Sequence, residues 1–396
     1  MMRGGAARVA ERGLLAAADE TPASTLFDEI VSQEGLYAIS TAERKQLGVT
    51  LARAAIEHHL ESNRAFRAYC SRQGFDASHV ASSEDLARVP LLPTSLFKIK
   101  PELTLSDDAR DVLLTTSSGT QGRISTVPRD DVTLMRFFAG ISAAVREMLG
   151  LRTQAGWFFN LGPPTAADPH LWIAYVMAGV GLAYGGDCYV GDGGIQFERL
   201  LPDLRETEPP HVIVGPPPLI LDLVQHLESH GPLRSTPGSF VVTIGGWKRR
   251  SGERIPRGEF EERTAAALGL GDVSGIRDTY NMVELNSVLF ECHAKRKHAP
   301  PWLTVYTRAP KTLEPLSHGE TGILSFVDSS ARSYPAFVLS DDIGRVESGR
   351  CACGAEGDSA VVERRISSIE ARGCALKMDS ERGSAGAPTW RRTRRG

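Results

Sequence analysis

The sequence predicts an α/β fold with substantial parallel strand pairing, and three observations carry that prediction. From about residue 155, short apolar runs alternate with helical segments: 156–161, 212–214 and 240–244 read as strands, and 171–178, 219–229 and 257–268 as helices. Ahead of them, residues 25–90 read mostly as helix, because Leu51, Ala54, Ala55 and Ile56, then Phe66 and Tyr69, recur at helical spacing. From residue 303 the strands shorten to 303–306, 322–327 and 337–339, which marks a smaller β-rich subdomain at about 303–362.

Taken in order, residues 1–24 mix arginines and alanines with Glu11, Asp19 and Glu20, lack the apolar core of a secretion signal, and are expected to be flexible. Pro90 and Pro93 end the helical region. Residues 95–100 form a short mixed segment, and 112–115 read as a strand that runs straight into a loop. Residues 131–149 read as an amphipathic helix with Leu134, Phe138, Ile141 and Val145 on one face. The main domain is expected over 25–362. A short remnant follows at 363–378, then a Gly/Ser/Ala/Pro and arginine tail at 379–396 that is expected to be disordered.

Composition narrows the function classes. With 396 residues, 41% of them hydrophobic, the chain builds a large core. A net charge of −3 gives no global basic field for nucleic acid. No run of about 18 apolar residues suggests a membrane span. The six cysteines (Cys70, Cys188, Cys292, Cys351, Cys353 and Cys374) occur without a secretion signal. That pattern favours reduced thiols or metal ligands over disulfides, and a cytoplasmic setting.

The segment 115–125, Thr-Thr-Ser-Ser-Gly-Thr-Gln-Gly-Arg-Ile-Ser, crowds hydroxyls and two glycines just after a strand. Glycine lets backbone approach an oxyanion, and hydroxyls and amides donate to phosphate oxygens. No Gly-Lys-Ser/Thr ends it, so it is not a P-loop. Cys292, His298, Cys351 and Cys353 supply three thiolates and an imidazole, a set suited to tetrahedral zinc, with His293 as an alternative ligand.

The order Ser118-Gly119-Thr120-Gln121-Gly122 resembles the phosphate-binding signature of the adenylate-forming superfamily. Tyr280-Asn281-Met282-Val283-Glu284 is similar to that family's Tyr-Gly-x-Thr-Glu segment, Gly319-Glu320-Thr321-Gly322 to its Gly-Glu strand, and Asp341-Asp342-Ile343-Gly344-Arg345 to its Gly-Asp-x-Gly-Arg segment. Arg364-Arg365 through Arg372-Gly373 resembles the hinge. Within the superfamily, Gly245-Gly246-Trp247-Lys248, residues 280–287, Ser333-Tyr334-Pro335 and Arg372-Gly373-Cys374 resemble the LuxE-type acyl-protein synthetases, with the phenylacetate-CoA ligase branch next. The resemblance covers roughly residues 85–378.

It implies an adenylate-forming N-terminal domain that makes acyl-AMP and pyrophosphate from ATP and a carboxylic acid. Ser117, Ser118, Gly119, Thr120, Gly122 and Arg123 would hold the phosphates, although the lysine that often ends this motif is replaced near Ser125. Glu284 would bind Mg²⁺, a hard cation that prefers oxygen ligands. Tyr280 and Asn281, with Gly245 and Gly246, would border adenine, and Asp342 would accept from the ribose hydroxyls. Asn281 and Val283 depart from the family's Gly and Thr. Trp247 and Phe159 either line the acyl pocket or belong to the core. The four-ligand cysteine and histidine set would hold structural zinc.

Cys374 lies at the place where acyl-protein synthetases carry an acylated cysteine, and thiolate is a suitable nucleophile for acyl-AMP. The C-terminal lid usual in the superfamily is expected to be truncated or absent. The expected function is therefore acid activation followed by acyl transfer to a thiol, either Cys374 or that of a partner such as a reductase or carrier protein. The alternatives are a ligase joining the acid to an amine, hydroxyl, CoA or carrier protein, and a non-catalytic binding subunit.

Overall fold

The structure, a computed structural model, describes residues 23–118, 124–150, 156–182, 184–234 and 236–366. The N-terminal third is helical: α1 (Ala23–Ile30), α2 (Thr41–Ser62) and α3 (Arg64–Arg72). Ser40 and Glu43 close a reciprocal capping box at the start of α2, and Asn63 both ends α2 and caps α3 through its bond from Phe66 N. The two-residue strand β1 (Leu92–Pro93) leads directly into α4 (Thr94–Ile99). The hairpin β2 (Leu113–Thr116) and β3 (Thr126–Arg129) follows, then α5 (Asp131–Leu149). Asp130 caps α5 by accepting from Thr133 N, and Gly150 stops it at φ 67°, a left-handed position that suits glycine.

The α/β region then alternates as the sequence predicts. It comprises β4 (Trp157–Asn160), α6 (Trp172–Gly181), β5 (Gly185–Cys188), the small ribbon β6 (Val190–Gly191) and β7 (Gly194–Ile195), α7 (Phe197–Glu206), β8 (His211–Gly215), α8 (Pro217–His230), β9 (Phe240–Thr243), α9 (Arg257–Leu268) and β10 (Ile276–Tyr280). The remaining strands are β11 (Leu289–Glu291), β12 (Lys297–His298), β13 (Leu303–Arg308), β14 (Gly322–Asp328), β15 (Ala336–Glu347) and β16 (Ser359–Arg365).

A single hydrogen-bonded sheet runs β13-β14-β15-β16-β12-β11-β10-β9-β8-β4-β5, with β1 added in parallel to β15. Its β10-β9-β8-β4-β5 half is parallel, and the rest of that path is antiparallel. The β-rich part therefore shares one sheet with the parallel part, joined where β16 returns to pair with β12.

Strands β4, β8 and β9 of the parallel half are buried on both faces, which explains their continuous apolar runs. In β8, Val212 and Val214 face a core with Phe137, Ile141, Val176 and Met177, while Ile213 faces a second core with Leu204, Ile220, Leu223 and Phe260. Strand β5 carries no apolar alternation and escapes a pattern reading. Its Gly186 lies so close to Phe158 O that any Cβ there would collide with the neighbouring backbone.

Candidate active site and metal centre

The hairpin β2–β3 stands outside the large sheet and presents the Ser/Thr/Gly loop. Its neck closes where Ser117 N donates to Ser125 O at 3.0 Å and Ser125 N donates to Ser117 Oγ at 3.1 Å. Ser118 is exposed beyond that neck. Gly119, Thr120, Gly122 and Arg123 lie outside the described residues, as does Cys374. Ser125 is buried, and its hydroxyl hydrogen-bonds Glu284.

Arg129, at the end of β3, ties this hairpin to the turn that carries Glu284. It is fully buried. Its guanidinium donates to Val283 O at 2.7 Å, Leu285 O at 2.9 Å, Tyr334 Oη at 3.2 Å and Asn286 Oδ1 at 3.2 Å, and to Thr115 Oγ1. Its plane lies 3.4 Å from the centroid of Trp172. The fork shape of guanidinium lets one side chain satisfy acceptors on both sides of a turn, which lysine cannot do. Asn286 continues the brace, donating from Nδ2 to Thr133 O and from N to Asp328.

Next to Glu284, two adjacent carboxylates of β15 are held by cations and hydroxyls. Tyr280 Oη donates to Asp342 Oδ2 at 2.8 Å, and Arg365 Nε donates to Asp342 Oδ1 at 3.1 Å. Asp341 Oδ2 accepts from Thr94 Oγ1 at 2.8 Å and Lys98 Nζ at 3.3 Å, one helical turn apart on α4. Burial raises the carboxyl of Glu284 above its ordinary range. The Ser125 hydrogen bond and the charges of Lys98 and Arg365 oppose that rise. A buried carboxylate with its pKa pushed up is suited to accept a cation in place of water.

The structure thus brings Tyr280, Glu284, Asp342 and Ser125 together. The Tyr280 ring stacks on Phe326 at 5.7 Å between centroids. Asn281 accepts from Trp172 Nε1 at 2.7 Å and donates to Ser287 O at 2.8 Å.

Gly245, Gly246 and Trp247 line a cleft of about 510 Å³ with Arg254, Asp278 and Lys297. Gly245 has φ 81°, so the turn after β9 needs glycine there. Asp278 accepts from Thr243 Oγ1 at 2.6 Å and Lys297 Nζ at 2.9 Å. Phe159 lines no part of this cleft. It is fully buried on the second core, packed against Tyr189 and His211.

The fourfold cysteine and histidine set is also brought together. The ligand atoms of Cys292, His298, Cys351 and Cys353 all lie within 4.8 Å of one another. Cys292 and Cys351 Sγ are 3.8 Å apart, and Cys353 Sγ is 3.4 Å from His298 Nε2. Cys292 follows β11 and His298 lies in β12, and between them Lys295 turns the chain at φ 61°. Cys351 and Cys353 sit in the β15–β16 connection, where Gly354 N donates to Cys351 O. Burial pushes His298 down to about 4, with Arg296 and Arg44 adding to the effect, so its ring is neutral at pH 7. A tetrahedral zinc with Zn–S bonds of about 2.3 Å places its thiolates about 3.8 Å apart, so the donor set fits that ion.

The sequence model of the LuxE acyl-protein synthetases matches residues 15–382. The chain belongs to the LuxE acyl-protein synthetase family. It is an adenylate-forming ligase of the acyl-protein synthetase type. Among its relatives, the long-chain-fatty-acid–luciferin-component ligase of Vibrio harveyi is 33% identical over 368 residues, 90% of this chain and 93% of that one. The ligase of the same description from Aliivibrio fischeri is 32% identical over 370 residues, 90% and 94% of the two chains. A solved structure of 2-hydroxyisobutyryl-CoA ligase, in complex with 2-HIB-AMP and CoA in an open conformation, superposes with a TM-score of 0.64 at 15% identity. The match covers 84% of this chain and 77% of that one, and the likeness is one of fold.

Within this LuxE-family site, sequence reading passes over Lys98, Arg129 and the contact of Arg365 with Asp342. Arg129 has one available signal, a charge at the end of an otherwise apolar hairpin strand. Lys98 has none, since its partner Asp341 is 243 residues away. Among the described residues, no helix is long and apolar enough to cross a membrane.

Proposed function

We propose that this LuxE-family ligase condenses a long-chain fatty acid with ATP, releases pyrophosphate, and passes the acyl group from acyl-AMP to a thiol. The observation that carries the reading is the convergence of Tyr280, Glu284, Ser125 and Asp342 at the end of β10, in a chain about one-third identical to fatty-acid ligases over nine-tenths of its length.

Ser125, in the hairpin neck, bonds Glu284, and Ser117, Ser118, Gly119, Thr120, Gly122 and Arg123 would meet the polyphosphate. Asp342 accepts from the ribose hydroxyls through the lone pairs that Tyr280 and Arg365 leave open. Tyr280, Asn281, Gly245 and Gly246 border the base, and Trp247 marks the acyl side of the cleft. Glu284 would hold Mg²⁺, which neutralises charge on the polyphosphate. The reaction needs little from the protein beyond alignment and charge stabilisation, because the carboxylate is itself the nucleophile.

Cys292, His298, Cys351 and Cys353 would hold zinc in a structural role, since four protein ligands leave no open position. The acyl acceptor is Cys374 or a thiol on a partner protein of reductase or carrier type, in a cytoplasmic setting that keeps thiols reduced.

Intact-mass measurement after incubation with ATP and a long-chain fatty acid tests the transfer step. A stable acyl adduct that disappears in Cys374→Ala identifies the cysteine. An adduct of unchanged yield in that variant removes Cys374 from the account, and acyl-AMP formation with no adduct directs the search to a partner.

A further inference from the structure

We propose that Lys98 is a catalytic residue of the acid-activation step, its ammonium leaving Asp341 to bridge the attacking carboxylate and the α-phosphate. The proposal rests on the acid-activation reading above and assigns a role within it.

Three features lead to it. The first is placement. Strand β1 pairs in parallel with β15 through Leu92↔Val338 and Pro93↔Leu339, and α4 starts at the very next residue. This pairing sets Thr94 and Lys98 against Asp341, beside Asp342. The charge of Lys98 already acts on Glu284.

The second is availability. Among the described residues, two arginines also act near Glu284, and both are engaged. Arg129 is fully buried and braced on two backbone carbonyls, and Arg365 is held by Asp342. Among the described residues, Lys98 makes one ion pair, to a single oxygen that Thr94 also occupies, and both partners are partly exposed at 33% and 40%. An exposed pair of this kind is weak, so exchanging it for a ligand oxyanion costs little. Thr94 stays behind to satisfy Asp341.

The third is chemistry. A carboxylate oxygen attacks the α-phosphorus, the new C–O–P bond forms, and the bond to the bridging oxygen breaks. That oxygen leaves with its electron pair as pyrophosphate, and no proton moves. Nucleophile and electrophile are both anions, so their mutual repulsion is part of the barrier. An ammonium is a compact charge with three donors and touches both groups at once. Charge placed where repulsion is greatest stabilises the transition state more than the ground state.

The test compares Lys98→Met and Lys98→Arg with the wild-type chain in acid-dependent ATP–pyrophosphate exchange, and in acyl transfer from chemically prepared acyl-AMP. Lys98→Met is expected to lower the kcat of exchange by about 100-fold or more. KM for ATP, transfer from acyl-AMP and the thermal midpoint should stay near wild type, and Lys98→Arg should recover part of the rate. Less than a tenfold loss of exchange overturns the proposal. So does a loss shared equally by transfer from acyl-AMP or accompanied by a fall in thermal midpoint, because Lys98 then acts through structure. Absence of exchange in the wild-type chain with every acid tried refutes the underlying acid-activation reading instead.

Discussion

Replacing Arg129 with methionine removes the brace between the β2–β3 hairpin and the Glu284 turn while filling much of the same volume. The side chain satisfies Val283 O, Leu285 O and Asn286 Oδ1 in a site with no access to water. Each buried acceptor left without a donor costs about 1–3 kcal/mol. Thr115 Oγ1 keeps a partner, because it donates to Val127 O, and Tyr334 keeps its aromatic packing on Phe97. Three orphaned acceptors, partly offset by methionine packing on Trp172, give a loss of roughly 3–5 kcal/mol. For a chain of this length each kcal/mol lowers the thermal midpoint by about 2 °C, so the expected fall is about 6–10 °C. The Arg129→Lys variant keeps the charge but not the fork, and should recover less than half. Thermal unfolding followed by circular dichroism measures both. A fall below about 2 °C in Arg129→Met would falsify the claim that this residue braces the site.

Three further outcomes follow from the same structure. Atomic emission on the purified chain should find about one zinc per molecule, and Cys353→Ser with Cys351→Ser should strip it and lower the thermal midpoint; a metal-free wild-type chain with the same midpoint contradicts the site. Burial, with His58 adding to it, pushes His59 down to about 3, so the folded state keeps it neutral where the unfolded chain, near 6.5, takes up a proton. Stability should therefore fall as pH drops below about 6.5, by about 2 kcal/mol from this group on reaching pH 5. His59→Gln should flatten the pH dependence of the urea midpoint, and an unchanged slope would contradict the assignment. Asp342→Asn should raise KM for ATP by about tenfold or more, as one charge-assisted acceptor becomes neutral, with the midpoint little changed; an unaltered KM removes Asp342 from the ribose role.

Much of the fold is legible in the sequence because local signals and tertiary structure agree. Residues 131–149 form one helix because Asp130 caps it and Gly150 stops it, both readable from residue type. The strands near 157, 212 and 240 are legible as apolar runs because helices cover both faces of the parallel sheet. The apolar pattern marks only three residues of strand β15, which has twelve, because its middle is Ser340-Asp341-Asp342. Hydrophobic pattern reports a strand only where its faces are apolar, and here hydroxyls and cations satisfy the polar groups. Helix α4 is hidden for a related reason: it has six residues and is set by β1 pairing with a strand some 240 positions on.

The site divides the same way. Tyr280, Glu284 and Asp342 stand in ordered motifs, and the structure gathers them. The four candidate metal ligands are readable from donor chemistry, and the turns after β11 and β15 close them together. Arg129 and Lys98 act through long-range geometry: Arg129 shows in sequence only as a charge at a strand end, and Lys98 leaves no mark.

Activation of a fatty acid as its adenylate is the step on which the roles of Tyr280, Glu284 and Asp342 depend. Acid-dependent exchange of labelled pyrophosphate into ATP tests it most directly, run with fatty, aromatic and amino acids side by side. Exchange stimulated by long-chain fatty acids, dependent on Mg²⁺ and abolished in Glu284→Gln, is the predicted result. No stimulation by any acid, with no ATP binding, would contradict it.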